Sequence, residues 1–200
     1  MMIRSTEITG FHQHCLVQTD WPHSGNTATR GVHPVWEWIA ANHRFNALLW
    51  AEEDMARRRD VPDSEIARNK RAIDGFNQAR NDAAERVDEE ILIYAGNVER
   101  VAGARQHSET AGMMIDRLSI MSLKINAMKM QADRTDASPE HRENCRTKLE
   151  RLREQRNDLA ACLDVLLEEM SAGRTYFKIY RQFKMYNDPS LNPYLYASKT

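Results

Sequence analysis

The side chains best suited to chemistry lie in the stretch 70–88, where a helical repeat of apolar residues is interrupted by amides and charges. At about 100° per residue, Ile66, Ile73 and Ile91 set the direction of the apolar face. The polar residues within about a quarter turn of that direction include Asn77, Arg80, Asn81 and Asp88, and Asp74 lies just outside it. Burying such groups costs free energy unless each one finds a partner. The stretch therefore forms either a buried polar network that specifies how the helices pack or a functional site.

Three other predicted helices bring polar residues towards the same interior. The polar residues on the apolar seam of the preceding helix are His43, Asn46, Glu53 and Arg57. The two following helices contribute Asp116, which falls among apolar residues, and Arg156, which falls on a leucine stripe. Charges of both signs therefore converge inside the predicted bundle, where they either line a pocket or pair with one another and leave the interior filled.

Arginines in such an interior suit phosphate or carboxylate, because a guanidinium keeps its charge and presents a planar fork of donors. We therefore predict a pocket for an anionic small molecule, such as a sugar phosphate or a nucleotide. A nearby carboxylate can act as a general base or bind a divalent cation through oxygen, and a histidine titrates near neutral pH. The candidate catalytic residues are Asp88, Asp116, Glu53 and His43. The candidate ligand-binding residues are Arg57, Asp74, Asn77, Arg80, Asn81 and Arg156, with Tyr186, Asn187 and Asp188 of the C-terminal tail as a lid.

Motifs of known enzyme classes are incomplete or absent. Glu85 and Asp88 match half of the paired-carboxylate pattern with which all-α nucleotide pyrophosphohydrolases bind magnesium. The other half is missing, because the acidic residues at 52–54 are consecutive and cannot share one helix face. The sequence has no glycine-rich phosphate loop and no GxSxG elbow, and we assign no residue as a metal ligand.

The hydrophobic periodicity predicts an all-α fold. Long helices are predicted over residues 34–58, 65–94, 110–131 and 139–173, followed by an aromatic helix over 175–186 and an extended tail. The third long helix is apolar nearly all round and should be central, and Gly75 inside the second indicates close packing. The tail carries too many aromatic residues to be left in solvent. We divide the chain into an irregular segment, 1–33, with at most one short helix, and a single helical-bundle domain, 34–200.

The composition narrows the class of partner. The 200-residue chain has 28 Lys plus Arg and 29 Asp plus Glu, which gives a net charge of -1 at pH 7 and argues against a nucleic-acid partner. No apolar run approaches the roughly 20 residues of a membrane span, and the N-terminus lacks the apolar region of a secretory signal. We therefore expect a cytoplasmic protein with three free cysteines.

Four stretches, in order, resemble the bacterial domain-of-unknown-function family DUF4254. They are HRFNALLWAEEDMAR (43–57), KRAIDGFNQARND (70–82), SETAGMMIDRLSIMSLK (108–124) and YRQFKMYNDPSLNPYLY (180–196), within a resemblance that covers about residues 33–196. The resemblance implies no defined activity and no defined catalytic residues. It implies a context instead, because relatives are often encoded beside glycosyltransferase genes of surface-polysaccharide pathways.

Two hypotheses from different classes follow. The first is an enzyme or binder that acts on a phosphorylated or nucleotide-activated sugar, and it predicts a cavity whose walls include Arg80, Asp88 and Asp116. The second is a non-catalytic helical partner of a glycosyltransferase or another protein. It predicts a filled interior in which every charge is paired, and an exposed apolar patch elsewhere. The first hypothesis allows a divalent cation as cofactor, and both leave catalysis and oligomeric state open.

Overall fold

Four long helices form the body of the protein, in the order and at the places that the sequence predicts. The computed structural model describes residues 3–24, 33–181, 185 and 188–197. The elements in chain order are α1 (Ser5–Leu16), α2 (Val35–Met55), α3 (Asp63–Ala95), β1 (Arg105–Gln106), α4 (Ala111–Ala132), α5 (Pro139–Ser171), β2 (Thr175–Tyr176) and α6 (Pro193–Tyr196). The prediction of an all-α fold is confirmed, with the predicted long helices as α2 to α5. Within the described ranges, no helix has both the length and the apolar character needed to cross a bilayer.

Local signals in the sequence fix where the two later long helices begin. Ser138 precedes Pro139, and its hydroxyl accepts a hydrogen bond from the backbone N–H of His141 at 3.1 Å. Thr110 caps α4 in the same way, because its hydroxyl accepts from the N–H of Met113 at 3.2 Å. Such caps satisfy backbone donors that the first helical turn leaves without intrahelical partners. The start of α4 matters for function, because Thr110 also belongs to the candidate site.

α4 lies at the centre of the apolar core. Met114, Ile115 and Leu118 of this helix are fully or almost fully buried, as expected for a helix that is apolar nearly all round. α2 packs mainly on α3, and α4 packs mainly on α5, while α4 also contacts α2 and α3. The polar side chains that α2 and α3 turn inward therefore meet the first half of α4.

The N-terminal segment supplies a helix to this core. α1 is the one short helix that the sequence allows there, and its residues Ile8, His12 and Cys15 are completely buried. Ser5 ties its start to α5, because both the backbone N–H and the hydroxyl donate to the carboxylate of Asp164, at 2.8 and 2.7 Å. α1 consequently contacts both α4 and α5.

The predicted aromatic helix over 175–186 is wrong for residues 175–181, because none of these residues is helical. Thr175–Tyr176 forms β2 and pairs in parallel with Arg105–Gln106 of β1. Burial alternates along this segment: Thr175 and Phe177 are buried, whereas Lys178 and Tyr180 are exposed. Aromatic and β-branched residues that alternate between core and solvent are typical of a strand, and this period of two replaces the helical period.

The C-terminal tail is exposed, which is contrary to the expectation that its aromatic residues pack on the bundle. The side chain of Asn192 caps the single turn of α6 by accepting from the N–H of Tyr194 at 3.0 Å. Tyr194 itself is 89% exposed, and Leu195 and Tyr196 are also exposed. Local caps and turns therefore hold residues 188–197 in place without burying their aromatic side chains.

Candidate functional site

The carboxylate of Asp116 is the point at which α2, α3 and α4 bring their polar side chains together. The side-chain amides of Asn42 and Asn46 both donate to its Oδ1, each at 2.8 Å. Its Oδ2 lies 3.8 Å from Nη1 of Arg80, and the two side chains are only 16% and 22% exposed. Asp116 is thus fixed by two hydrogen bonds from α2 and faces a cation on α3.

Fewer of the hydrogen-bonding groups of Arg80 have partners than those of Asp116. Its separation from the carboxylate, 3.8 Å, is longer than the roughly 2.7–2.9 Å of a charge-assisted hydrogen bond. Its Nη2 donates to Oδ1 of Asn81 at 3.0 Å. Its Nε is buried and has no hydrogen-bond partner among the residues that the structure describes. A partly buried guanidinium with an unused donor is a group to which a ligand or a water molecule can bind.

A cleft of about 440 Å³ opens beside these residues, between α3, the start of α4 and the segment after β2. Its volume lies within the range of small-molecule sites. The walls include Arg80, Asp88 and Asp116, the three residues that the first hypothesis places in one cavity. The charged residues of the lining are Arg80, Arg117, Lys178, Glu85, Asp88, Glu109 and Asp116. Asn81 and Tyr180 also line the cleft, so it offers charges of both signs together with neutral hydrogen-bonding groups.

Asp88 links the wall of this cleft to the first turn of α4. Its Oδ1 accepts a hydrogen bond from the backbone N–H of Gly112 at 2.6 Å, and the residue is only 3% exposed. Burial raises the pKa of Asp88 to about 6, and the hydrogen bonds from the Thr110 hydroxyl and from Gly112 oppose this rise. The charges of Glu85 and Glu89 raise the pKa further. Asp88 is therefore both a helix cap and a carboxyl group that changes its protonation state at mildly acidic pH.

Gly112 permits the close approach of α3 and α4 that creates this arrangement. A Cβ atom at this position would lie 2.2 Å from the backbone oxygen of Ala84 and 2.9 Å from the carboxylate of Asp88. Those distances are far inside van der Waals contact, so only glycine fits there. The prediction of close packing at Gly75 is wrong, because a Cβ atom added there would have no neighbouring atom within 4 Å.

His43 lies behind the cleft and does not line it. Its Nδ1 is 2.8 Å from Oγ of Ser119, and its ring stacks on His12 and Trp21 with centroids 4.3 and 5.4 Å apart. Burial lowers the pKa of His43 to about 4. The expectation that this histidine titrates near neutral pH is therefore wrong, because a completely buried imidazole resists taking up a proton.

A comparison with protein-family models identifies the family to which these helices belong. The model described as "Protein of unknown function (DUF4254)" matches residues 36–179. This chain belongs to the DUF4254 family. The match covers nearly all of α2 and the whole of α3 to α5, and it ends within the segment that borders the cleft, so most of the candidate site lies inside the DUF4254 region. No curated protein and no solved structure matches the chain significantly.

Glu53 and Arg57 lie on a neighbouring cleft of this DUF4254 chain. That cleft has a volume of about 330 Å³ and is lined by Asn46, Glu53, Arg57 and Arg80, among others. Arg57 Nη2 pairs with Glu53 Oε2 at 3.0 Å across one helical turn. Arg80 lines both clefts, so it lies between the Asp116 side and the Glu53 side.

Several predicted site residues lie elsewhere. Asp74 is exposed and pairs with Lys70, and Asn77 is half-buried on α3 without lining the cleft. Asp188 is exposed and accepts from the N–H and hydroxyl of Ser190, at 2.8 and 2.6 Å, so its contacts belong to a local turn and not to a lid. The other lid residues, Tyr186 and Asn187, lie outside the described residues.

Arg156 lines a different cleft, between α1, α4 and α5, although the sequence predicts it beside Arg80. The error arises because the sequence places α1 outside the bundle, whereas α1 packs on this side of α4 and α5. Arg156 therefore does not belong to the Asp116 site.

Several residues of the site were not predicted from the sequence. Asn42 precedes His43 and falls off the predicted seam, yet it is buried and binds Asp116. Lys178 and Tyr180 come from the segment predicted as a helix, so the sequence does not place them at the cleft. Thr110 is recognisable as a cap, and this is the signal that could have identified it. Among the described residues, no group of three or more His, Cys, Asp or Glu side chains is arranged to hold a metal ion.

Proposed function

We propose that the cleft between α3 and α4 binds a small molecule that carries both an anionic group and several hydroxyl groups, such as a phosphorylated or nucleotide-activated sugar. The observation that carries this proposal is the guanidinium of Arg80. It lines the cleft, lies 3.8 Å from Asp116 and keeps a buried donor without a partner among the described residues. An anionic oxygen in the cleft would compensate the charge of this guanidinium, and guanidinium groups bind phosphate through their planar fork of donors.

The other cations of the cleft support the same ligand chemistry. Arg117 lines the cleft and pairs with Glu109 at 2.6 Å, and Lys178 enters from the opposite wall. The carboxylates, in contrast, would repel phosphate but accept hydrogen bonds from hydroxyl groups. A ligand that places phosphate oxygens on the cations of the lining and sugar hydroxyls on its carboxylates would use both kinds of group.

Asp88 gives the cleft a group that can transfer a proton. A carboxyl group with a pKa of about 6 is present in both protonation states near physiological pH, as general acid and base catalysis requires. A divalent cation, if the ligand brings one, would be shared between its phosphate oxygens and the cleft carboxylates, an arrangement common for magnesium. If the bound ligand is also processed, Asp88 is the group that would transfer the proton.

A thermal-shift screen tests the binding proposal. The panel contains sugar phosphates, nucleotide sugars and nucleotides, each with and without magnesium chloride. We expect at least one compound to raise the melting temperature of the wild type and to lose this effect on Arg80→Ala. The proposal fails if no compound stabilises the wild type while Arg80→Ala and Asp116→Ala both merely lower the melting temperature.

A second candidate function is a non-catalytic helical partner of a glycosyltransferase or of another protein. It is favoured by an apolar cleft of about 380 Å³ between the end of α3 and α5, lined by Ile91, Tyr94, Val98, Leu167 and Met170, among others. Tyr94 and Val98 are exposed, and exposed apolar clusters often mark interaction surfaces. In a pull-down with a candidate glycosyltransferase, Tyr94→Ser with Val98→Ser would abolish binding and Arg80→Ala would preserve it. The reverse pattern would count against this second function.

A further inference from the structure

The cleft that contains Arg156 lies on another side of the bundle, between α1, the second half of α4 and the middle of α5. Its volume is about 290 Å³, and none of its lining residues lines the α3–α4 cleft. The basic residues of its lining are Lys129, Arg153 and Arg156, the neutral polar residues are Gln13, Ser122 and Asn126, and the apolar residues are Leu16, Val17 and Ile125. Among these residues there is no carboxylate, in contrast to the four that line the α3–α4 cleft.

Arg156 is the group in this cleft that most requires a partner. Its Nη1 is buried and has no hydrogen-bond partner among the described residues. Its Nη2 reaches only Oδ1 of Asn157, at 3.5 Å. Burial first, and the charge of Arg153 second, lower the pKa of Arg156. A guanidinium that is partly desolvated beside another cation is stabilised when an anion binds to it.

The two neighbouring cations leave the cleft positive. Arg153 Nη1 pairs with Glu150 at 2.7 Å, but that carboxylate is exposed and does not line the cleft. Lys129 is exposed on α4 and forms no ion pair with any described residue. The amides of Gln13 and Asn126 add neutral donors to the same space. Donors thus converge from three helices with nothing negative among them.

We propose that this cleft is a binding site for a phosphate group carried by a small molecule. A phosphate dianion would accept hydrogen bonds from Arg156 and Lys129 and would offset the repulsion between Arg153 and Arg156. The volume of about 290 Å³ admits a phosphate with a few additional atoms. Leu16 and Ile125 provide an apolar wall for a short carbon substituent. This site is independent of the ligand proposed for the α3–α4 cleft.

The same observations separate a binding role from a packing role for Arg156. If Arg156 only packs, replacing it lowers stability. If Arg156 instead serves to bind a ligand, its charge is uncompensated in the free protein. Arg156→Met then removes that charge, keeps most of the side-chain volume and does not lower stability. We therefore expect the melting temperature of Arg156→Met in chloride buffer to equal or exceed that of the wild type.

Isothermal titration calorimetry with inorganic phosphate, glycerol phosphate and sulfate tests the site at constant ionic strength. Titrations are made on the wild type, Arg156→Met and Lys129→Gln, with Arg151→Met, an exposed arginine on the same helix, as the matched control. We expect Arg156→Met to weaken phosphate binding at least tenfold and Lys129→Gln to weaken it at least threefold, whereas Arg151→Met binds as the wild type does.

The proposal would be overturned if the wild type bound none of the three anions, or if Arg156→Met bound phosphate with unchanged affinity. It would also be overturned if Arg151→Met lost as much phosphate affinity as Arg156→Met, because an equal loss would indicate general charge attraction. A lower melting temperature of Arg156→Met with phosphate affinity preserved would identify a packing role. Should Arg156→Met fail to fold, the result for Lys129→Gln decides, because Lys129 is exposed and we expect its replacement to leave the fold intact.

Discussion

The guanidinium of Arg80 and the carboxylate of Asp116 face each other at 3.8 Å across the boundary between α3 and α4. The two groups are held very differently. Two asparagine amides of α2 fix Asp116, whereas Arg80 keeps a buried donor with no partner among the described residues. The carboxylate therefore has a structural role, and the guanidinium is the group to which a ligand would bind.

Asp116→Ala should be strongly destabilising, because the buried amides of Asn42 and Asn46 would both lose their shared acceptor. Each amide keeps a neutral acceptor, the backbone oxygen of Arg80 at 3.3 Å for Asn42 and Oγ of Ser119 at 3.0 Å for Asn46. A hydrogen bond to a charged group contributes about 1.5–3 kcal/mol, so the loss of two such bonds should lower the free energy of unfolding by about 3 kcal/mol. Asp116→Asn keeps an oxygen acceptor and should cost about 1 kcal/mol. Urea denaturation measures both values. Equal losses in the two variants would show that the amides do not depend on this acceptor.

Gly112→Ala should destabilise the protein by about 3 kcal/mol, because the added methyl group would collide with the backbone of α3. The matched control is Gly75→Ala, where the space is empty and alanine is the better helix former. That change should stabilise by about 1 kcal/mol. Thermal melts followed by circular dichroism compare the two. Opposite signs are expected, and a tolerated Gly112→Ala would contradict the close approach of α3 and α4.

The two glycines show why the sequence could predict helices and yet miss a helix contact. Both lie within predicted helices, where glycine is a poorer helix former than alanine. What distinguishes them is the neighbour, Ala84 of α3, which meets Gly112 only in the folded bundle. Periodicity and caps specify local structure, whereas this contact depends on how two helices are placed.

Asp88 should weaken the fold as the pH rises, because burial raises its pKa from the usual 3.8 to about 6. The folded state then keeps a proton that the unfolded state has released, so the stability contributed by this group is present below about pH 4 and is lost by about pH 6. At about 1.4 kcal/mol per pKa unit, the loss is up to about 3 kcal/mol. Urea denaturation at several pH values should show that the free energy of unfolding of Asp88→Asn increases relative to that of the wild type as the pH rises across this range. A difference between the two proteins that does not vary with pH would refute the prediction.

His43 and His12 should have the opposite effect on stability, because their contribution to the fold is lost as the pH falls. Burial lowers the pKa of His43 from 6.5 to about 4 and also lowers that of His12, so the unfolded chain takes up protons more readily than the folded one. Their contribution to stability is present above about pH 6.5 and is lost as the pH falls towards 4. His43→Asn should flatten the dependence of unfolding free energy on pH in this interval by about 1.4 kcal/mol per pH unit. An unchanged slope would mean that His43 is not protonated on unfolding.

The candidate site was predictable in its centre and not at its edges. Arg80, Asn81, Asp88 and Asp116 interrupt an apolar helical face, and the structure brings them to one cleft. Arg156 interrupts such a face as well, but α1 packs over that part of the bundle and makes it a separate cleft. Lys178 was missed because its short aromatic segment fits a helical pattern as well as the period of two that it adopts. The failures thus concern which elements become neighbours and which period a short segment adopts, and both depend on tertiary packing.

The most direct test of the proposed function is calorimetric titration of the most stabilising sugar phosphate or nucleotide sugar into the wild type, Arg80→Gln and Arg71→Gln. Arg71 is an exposed arginine on the same helix and serves as the control. Because a hydrogen bond to a charged group contributes about 1.5–3 kcal/mol, we predict at least about tenfold weaker binding by Arg80→Gln and unchanged binding by Arg71→Gln. Arg80→Gln that folds normally and binds the ligand as tightly as the wild type would contradict the proposal.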